Sequence, residues 1–280
     1  MKAIEVLAGA DASSQGRRAA DWAAQRADGL GLRLHLVRVV PESWYYRTPA
    51  QYAEAVARAQ TLLVQERGRL TARHPGLQVI TGWQPGEPAP VLSRLSDGAE
   101  MVVLGSDRSS DRRGEGSGSV GFQAAVLCRC PVAVIPARTA ADRSGVVAGI
   151  DGSEDSVVAL QLAAAEAQRI GEVLTILHAA SAVPPGGPVP SGEPDALSLI
   201  AGAARSIRES HPGLTVHETL EPNGSPAEVL IRSALQASLL VIGCRGRGGL
   251  RKPIGSIAEK VLSGLPCPTI VTRPASGQAS

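Results

Sequence analysis

Short apolar runs alternate with longer amphipathic segments along the whole chain. In the second half, five runs rich in Val, Leu, Ile and Thr have the length and β-branched character of buried strands, at 146–150, 173–178, 214–218, 239–243 and 269–272. Between them, apolar residues recur at helical spacing and predict helices at 154–170, 195–210, 226–237 and 256–264. Strands that alternate with helices predict an α/β fold with a parallel sheet and right-handed crossovers.

Single residues mark the ends of these helices. Ser153 is a predicted N-cap, Gly171 a predicted stop, and Pro226 suits the first turn of its helix. The helix that follows Ser153 carries four apolar residues on one predicted core face, namely Val157, Leu160, Ala164 and Ala167.

The two halves of the chain repeat each other. The segment VLAGADASSQ at 6–15 aligns without gaps with VVAGIDGSED at 146–155, and further matching segments follow in the same order. Such a repeat is typical of a duplicated domain. We therefore predict two domains, at 1–138 and 145–274, of which the first has a longer second helix at 50–73.

Composition limits the classes of function. Aromatic residues make up only 2% of the 280 residues, so the core is expected to consist of Val, Leu, Ile and Ala, as in helix-covered parallel sheets. A net charge of +2 gives no general attraction to nucleic acid or membrane. No apolar run approaches the roughly 18–20 residues of a membrane span, and the segment 1–11 does not read as a signal peptide. Four cysteines form no disulfide framework, and we expect a cytoplasmic protein.

One stretch has the chemistry of a phosphate-binding loop. VIGCRGRGGLRKPIGS, at 241–256, holds five glycines and four Arg or Lys residues between a predicted strand and a predicted helix. Glycines let backbone N–H groups approach an anion, and a helix N-terminus attracts phosphate. Asp151, after the first strand of this half, suits a ribose hydroxyl or an adenine amine instead. The alternative is a surface loop whose charges are solvated: Arg245, Arg247, Arg251 and Lys252.

Three short motifs recur in both halves of the chain. Each half carries D-x-S after its first strand, as Asp11–Ser13 and Asp151–Ser153. Each also carries G-x-P-A and a Cys-Pro pair, at 86–89 with 130–131 and at 224–227 with 267–268. With these motifs the chain resembles a tandem universal stress protein of the ATP-binding branch over nearly its full length. The resemblance implies two Rossmann-like, adenine-nucleotide α-hydrolase-like domains, each with a five-stranded, mostly parallel sheet flanked by helices.

The nucleotide signature of that branch is G-x2-G-x9-G-[S/T], and both halves depart from it. The second half has only eight residues between Gly246 and Gly255. The first half has Arg108 at the second glycine position, followed by the expected nine residues before Gly118. The resemblance assigns nucleotide contacts in the second half to Asp151, Ala179, Ile242, Gly243, Arg245, Gly246, Gly255, Ser256 and Ile257. The matching set in the first half is Asp11, Val39, Leu104, Gly105, Gly118, Ser119 and Val120.

Other reactive or aromatic residues have simpler interpretations. Cys244, inside the glycine loop, is either a redox-active thiol or a small residue at a Ser-like position, and the second is favoured. His178 is expected to make a structural polar contact. The aromatic residues are expected to form a helix packing face, with a site lid or a protein contact as alternatives: Trp44, Tyr45, Tyr46 and Tyr52. We identify no catalytic constellation and no metal-ligand spacing.

The sequence therefore predicts an adenine-nucleotide-binding stress-response protein, a sensor or adaptor rather than a classical enzyme. The expected ligand is ATP, with or without Mg²⁺. A slow ATPase and a scaffold that has lost nucleotide binding are the alternatives. The resemblance also implies that the two domains pair as a pseudo-dimer through their fifth strands, and the edge at 132–136 or 269–273 could support a homodimer. We expect no nucleic-acid or membrane partner.

Overall fold

The protein divides into two compact units, Met1–Ala137 and Arg138–Ser280. The fold is taken from a computed structural model, which describes residues 4–106, 119–137, 142–179, 196–221, 224–246 and 253–273. Among those residues, no helix is both long enough and apolar enough to span a membrane.

The first unit is a parallel sheet with helices in the crossovers. Its elements in chain order are β1 (Glu5–Gly9), α1 (Ser14–Gly29), β2 (Arg33–Val40), α2 (Pro49–Arg73), β3 (Val79–Pro85), α3 (Pro88–Leu95), β4 (Met101–Gly105), α4 (Val120–Leu127) and β5 (Val132–Ile135). The strand order is β3-β2-β1-β4-β5, and every pair described is parallel. The long second helix predicted at 50–73 is confirmed.

The second unit repeats this arrangement. Its elements are β6 (Val146–Gly149), α5 (Glu154–Ile170), β7 (Leu174–Ala179), α6 (Ala196–Ser210), β8 (Val216–Glu221), α7 (Pro226–Ser233), β9 (Leu239–Gly243), α8 (Ser256–Gly264) and β10 (Thr269–Thr272). The order is β8-β7-β6-β9-β10, again parallel throughout. The order of strands reverses between β1 and β4, and between β6 and β9, so a crevice opens at the carboxyl ends of these pairs.

The three residues predicted to mark helix ends are confirmed, whereas the predicted bounds of β8 and α7 were wrong. Ser153 caps α5 by accepting a hydrogen bond from the backbone N–H of Ser156, and Gly171 ends it with a φ of 71°. Pro226 is the first residue of α7. However, β8 begins and ends later than the predicted 214–218, because its pairing with β7 runs on to Glu221. Helix α7 ends at Ser233 rather than at 237.

The core is aliphatic, as expected, with one correction in α5. Leu160, Ala164 and Ala167 are buried, but Val157 is 55% exposed. The buried face of α5 begins instead with Asp155 and Ser156, which lie at helical spacing from the buried Ala159, Leu160 and Ala163. Val157 is thereby turned outward.

The expected aromatic packing face was wrong for two of its four members. Trp44 and Tyr45 are 75% and 68% exposed, because they lie in a short 3-10 turn ahead of α2. The rings of Trp44, Tyr45, Tyr46 and Tyr52 contact each other in an edge-on or tilted row. All three tryptophans of the chain, at 22, 44 and 83, lie in the first unit.

Two helical glycines with empty space around the Cβ position provide a first test of the fold. A Cβ added at Gly68 in α2, or at Gly202 in α6, would meet no heavy atom within 4 Å. Alanine restricts the unfolded chain more than glycine, so each of Gly68→Ala and Gly202→Ala should stabilise the protein by about 0.5–1 kcal/mol in chemical denaturation. Gly264→Ala is the contrasting control, since its Cβ would lie 2.7 Å from a methyl carbon of Ile231. Destabilisation by Gly68→Ala or Gly202→Ala would contradict the described helix faces.

Candidate functional site

In both units an aspartate builds the turn between the first strand and the first helix. Asp11 Oδ1 accepts hydrogen bonds from Ser13 N at 2.9 Å and Ser13 Oγ at 2.5 Å. Asp151 Oδ1 accepts from Ser153 N at 2.9 Å and Ser153 Oγ at 2.6 Å. The serine hydroxyl in turn caps the helix, so D-x-S is a structural motif of the strand–helix junction in this chain. The aspartates are half-buried at the carboxyl edge of the sheet.

The last residue of the fourth strand in each unit approaches the first turn of α1 or α5. A Cβ placed on Gly105 would lie 2.7–2.9 Å from backbone atoms of Gln15 and Gly16. A Cβ on Gly243 would lie 2.9–3.0 Å from atoms of Asp155. No side chain fits at that separation, so glycine is required by packing at both positions. The same contact brings the start of the loop that follows the fourth strand beside the aspartate turn.

In each unit a polar side chain from the second strand donates a hydrogen bond to the backbone just before the aspartate turn. His178 Nδ1 donates to the carbonyl oxygen of Ile150 at 2.8 Å, which confirms the structural contact expected for this residue. In the first unit Arg38 Nη1 donates to the carbonyl oxygen of Ala10 at 3.2 Å, and the sequence interpretation missed this role. The repeat alignment carried the signal, since 38 and 178 are equivalent positions. Val39 and Ala179 follow these residues at the strand ends.

The described part of the glycine loop in the second unit lies directly against Asp151. A Cβ on Gly246 would lie 2.5 Å from Asp151 Oδ2, and the carbonyl oxygen of Arg245 accepts a hydrogen bond of 3.4 Å from Ser153 Oγ. The backbone N–H of Gly255 donates to the carbonyl oxygen of Cys244 at 2.7 Å. The loop start, the N-terminus of α8 and the aspartate turn are thus brought together.

The remaining residues assigned by resemblance to the second unit flank this assembly. Ile242 is buried, and its Cγ2 would lie 3.2 Å from a Cβ on Gly149. Ser256 and Ile257 are the first two residues of α8, and Gly255 is its N-cap. Three of the basic loop residues lie outside the described residues: Arg247, Arg251 and Lys252.

The first unit shows the same frame with less of its loop described. Leu104 is buried and would contact a Cβ on Gly9 at 2.5 Å, which places it beside β1. Ser119 caps α4 by accepting a hydrogen bond from Phe122 N at 3.1 Å, and Val120 is the first residue of the helix. Gly118 and Arg108 lie outside the described residues.

Asp155 is a site-adjacent residue that the sequence interpretation missed. Its side chain is 8% exposed, and its Oδ2 atom accepts from Cys244 Sγ at 3.0 Å, Arg245 N at 3.0 Å and Arg245 Nε at 3.4 Å. Coulombic attraction to Asp155 raises the pKa of Arg245. The equivalent position in the first unit holds Gln15, and this difference between the copies was the available signal.

Cys244 is not an activated thiol, so the redox alternative was wrong. The side chain is buried, and burial together with its hydrogen bond to Asp155 raises the pKa of the thiol to about 11. Burial likewise raises the pKa values of Cys130 and Cys267 to about 12. Within the described ranges, no three His, Cys, Asp or Glu side chains form a group able to hold a metal ion.

Thiol alkylation tests this assignment. A pKa of about 11 in place of 9.0 lowers the thiolate fraction of Cys244 about a hundredfold at pH 7. Because the thiolate is the nucleophile, iodoacetamide should label Cys244 at least about a hundredfold more slowly in the folded protein than in urea. Peptide mapping by mass spectrometry gives each rate. Labelling of Cys244 at similar rates in both states would contradict its described environment.

Comparison with known proteins identifies the family. The family model for the universal stress protein family matches residues 5–136 and again residues 144–273. A universal stress protein of Mycobacterium tuberculosis is 32% identical, with 96% of each chain covered, and one of Mycolicibacterium smegmatis is 31% identical, with 96% of this chain and 97% of the other covered. The crystal structure of a universal stress protein from Archaeoglobus fulgidus has a TM-score of 0.76 at 18% identity, covering 98% of this chain and 97% of its own. The chain therefore belongs to the universal stress protein family and carries two of its domains in tandem.

Proposed function

We propose that the protein binds adenine nucleotide, with ATP as the ligand, and acts as a stress-response sensor or adaptor rather than as a classical enzyme. The observation that carries the proposal is the assembly in the second unit. There the loop start at Gly243–Gly246, the N-terminus of α8 and the Asp151 turn meet at the carboxyl ends of parallel strands. Ligands of open α/β sheets bind at this position, where the strand order reverses.

The phosphate end of the proposed ligand suits the N-terminus of α8. The first N–H groups of a helix have no partner within the helix and, with the helix dipole, attract an anion. The N-cap of α8 is Gly255, which supplies no capping side chain. Next to it, the hydroxyl of Ser256 is exposed and can donate to a phosphate oxygen.

The nucleoside end suits the opposite side of the crevice. The carboxylates of Asp151 and Asp11 are hydrogen-bond acceptors, which fits a ribose hydroxyl or an adenine amine and disfavours phosphate. At the strand end of the second unit, the partly exposed Ala179 offers apolar surface for the base. The resemblance also assigns the base to Ile242, Leu104 and Val39, but their side chains are buried. Both units share this frame, so we propose a site in each.

The sensor or adaptor role rests on binding alone. Polar side chains near the crevice already make hydrogen bonds within the fold, as Asp11 and Ser13 do in the first unit. We therefore assign them no catalytic role. Pairing of the two domains and a homodimer stay predictions of the family resemblance, and a cytoplasmic location stays a prediction from the sequence composition. The alternatives are a slow ATPase and a scaffold without ligand, and measuring the ligand content of the protein distinguishes them from this proposal.

The ligand content of the purified protein is the direct test. Protein isolated without added nucleotide is denatured, and released small molecules are identified by chromatography and mass spectrometry. We expect one or two ATP per chain, or a rise in melting temperature on adding millimolar ATP with Mg²⁺, since a ligand of the native state stabilises it. Bound ADP or AMP in place of ATP would favour hydrolysis. No bound nucleotide and no thermal shift would contradict the proposal.

A charge substitution at the N-cap of α8 tests the second site. A Cβ on Gly255 would have only ordinary contacts, the nearest at 3.4 Å, and Asp and Asn both cap helices well. Gly255→Asp places a carboxylate beside the proposed phosphates, so calorimetry should show that the second site binds ATP on the order of a hundredfold more weakly. Gly255→Asn is the matched neutral control and should retain binding. Equal affinities of the two variants would place the phosphates elsewhere.

A further inference from the structure

We infer that Asp155 is a positioning residue that fixes the start of the nucleotide-binding loop in the second unit and has no counterpart in the first. This inference rests on the proposed function, because it assigns Asp155 a part in forming that site. Asp155 acts through Cys244, Arg245 and Gly246 rather than by touching the ligand.

The contacts of Asp155 fix two successive loop residues with a single oxygen atom. Oδ2 accepts from the thiol of Cys244 and from the backbone N–H of Arg245, both at 3.0 Å, and from Arg245 Nε at 3.4 Å. Hydrogen bonds to an ionised acceptor are about twice as strong as those between neutral groups. The side chain is 8% exposed, so water competes little for these donors.

The next loop residue is then held against the other aspartate. With Arg245 anchored, its carbonyl oxygen receives the hydrogen bond from Ser153 Oγ, and Gly246 lies on Asp151 Oδ2. Gly255 N–H, at the N-terminus of α8, donates to the carbonyl oxygen of Cys244. The loop start is therefore clamped between α5 and α8, which lowers the conformational entropy lost when a ligand binds.

The charge of Asp155 is compensated by Arg245, whose side chain is 43% exposed. A buried carboxylate beside a phosphate site would repel the ligand unless a cation is held against it. The Arg245 side chain supplies that cation, and its own pKa is raised by Asp155.

The two copies differ at each position of this contact. In the first unit Gln15 stands for Asp155 and Ser106 for Cys244. The equivalent of Arg245 is Asp107, so an aspartate at position 15 would have no cation at the matching position to compensate its charge. The second unit thus has a loop-positioning device of its own, and its loss should affect the second site alone.

The experiment compares Asp155→Asn with Glu154→Gln in the full-length protein. Both substitutions remove one carboxylate from the first turn of α5. Glu154, however, is exposed, and among the described residues it makes no hydrogen bond or ion pair with the loop. Asparagine can still accept one hydrogen bond from Arg245 N, so both variants are expected to fold, as checked by circular dichroism. Calorimetry with ATP and Mg²⁺ should show about tenfold weaker binding to the second site for Asp155→Asn and none of this loss for Glu154→Gln.

Two further readouts separate positioning from a general loss of stability. Cys244 should be alkylated by iodoacetamide at least about tenfold faster in Asp155→Asn, with Cys130 and Cys267 still protected, and saturating ATP should slow this labelling. In a Gly255→Asp background, Asp155→Asn should cause less than its tenfold loss of ATP affinity, because Gly255 and Asp155 both contact Cys244.

The outcomes distinguish this inference from the proposed function. If the unsubstituted protein binds ATP and Asp155→Asn binds it equally well, or if Glu154→Gln loses as much affinity, the positioning role is wrong and the proposed function stands. If the unsubstituted protein binds no adenine nucleotide, the proposed function fails, and the role of Asp155 in ligand binding fails with it.

Discussion

The close approach of two backbones sets the architecture of each unit. The fourth strand ends in a glycine, and the first turn of α1 or α5 occupies the space where a side chain of that residue would lie. This contact links the strand-reversal point to the aspartate turn, because the turn directly precedes the same helix. A side chain at Gly105 or Gly243 would force the helix away from the sheet, and the crevice between the two loops would lose its shape.

On this common frame the two copies have diverged in their polar contacts. The turn before the first helix is supported by Arg38 in one copy and by His178 in the other, each bonded to the equivalent carbonyl oxygen. The frame therefore accepts either an arginine or a histidine at this position. At the loop start, by contrast, the change from Gln15 to Asp155 brings new partners, Cys244 and Arg245, and so alters how a loop is held.

Much of the fold could be predicted from the sequence because its signals are local or repeated. Apolar runs located all five strands of the second unit, and the β9 and β10 bounds agree to the residue. The bounds of β8 were missed because its register depends on pairing with β7, which no local pattern records. Val157 was misassigned because the prediction followed apolar residues only, whereas the buried face of α5 begins with the polar residues Asp155 and Ser156. Asp155 was missed because its partners lie about ninety residues away along the chain.

The uneven distribution of tryptophan gives the duplicated chain an optical asymmetry. Trp22, Trp44 and Trp83 all belong to the first unit, and the second has none. Intrinsic fluorescence excited in the tryptophan band therefore reports on one half of a molecule whose halves share a fold. Circular dichroism in the far ultraviolet, by contrast, reports on the helices of both halves. A difference between the two signals during denaturation would show directly whether the duplicated domains unfold as one cooperative system or as two.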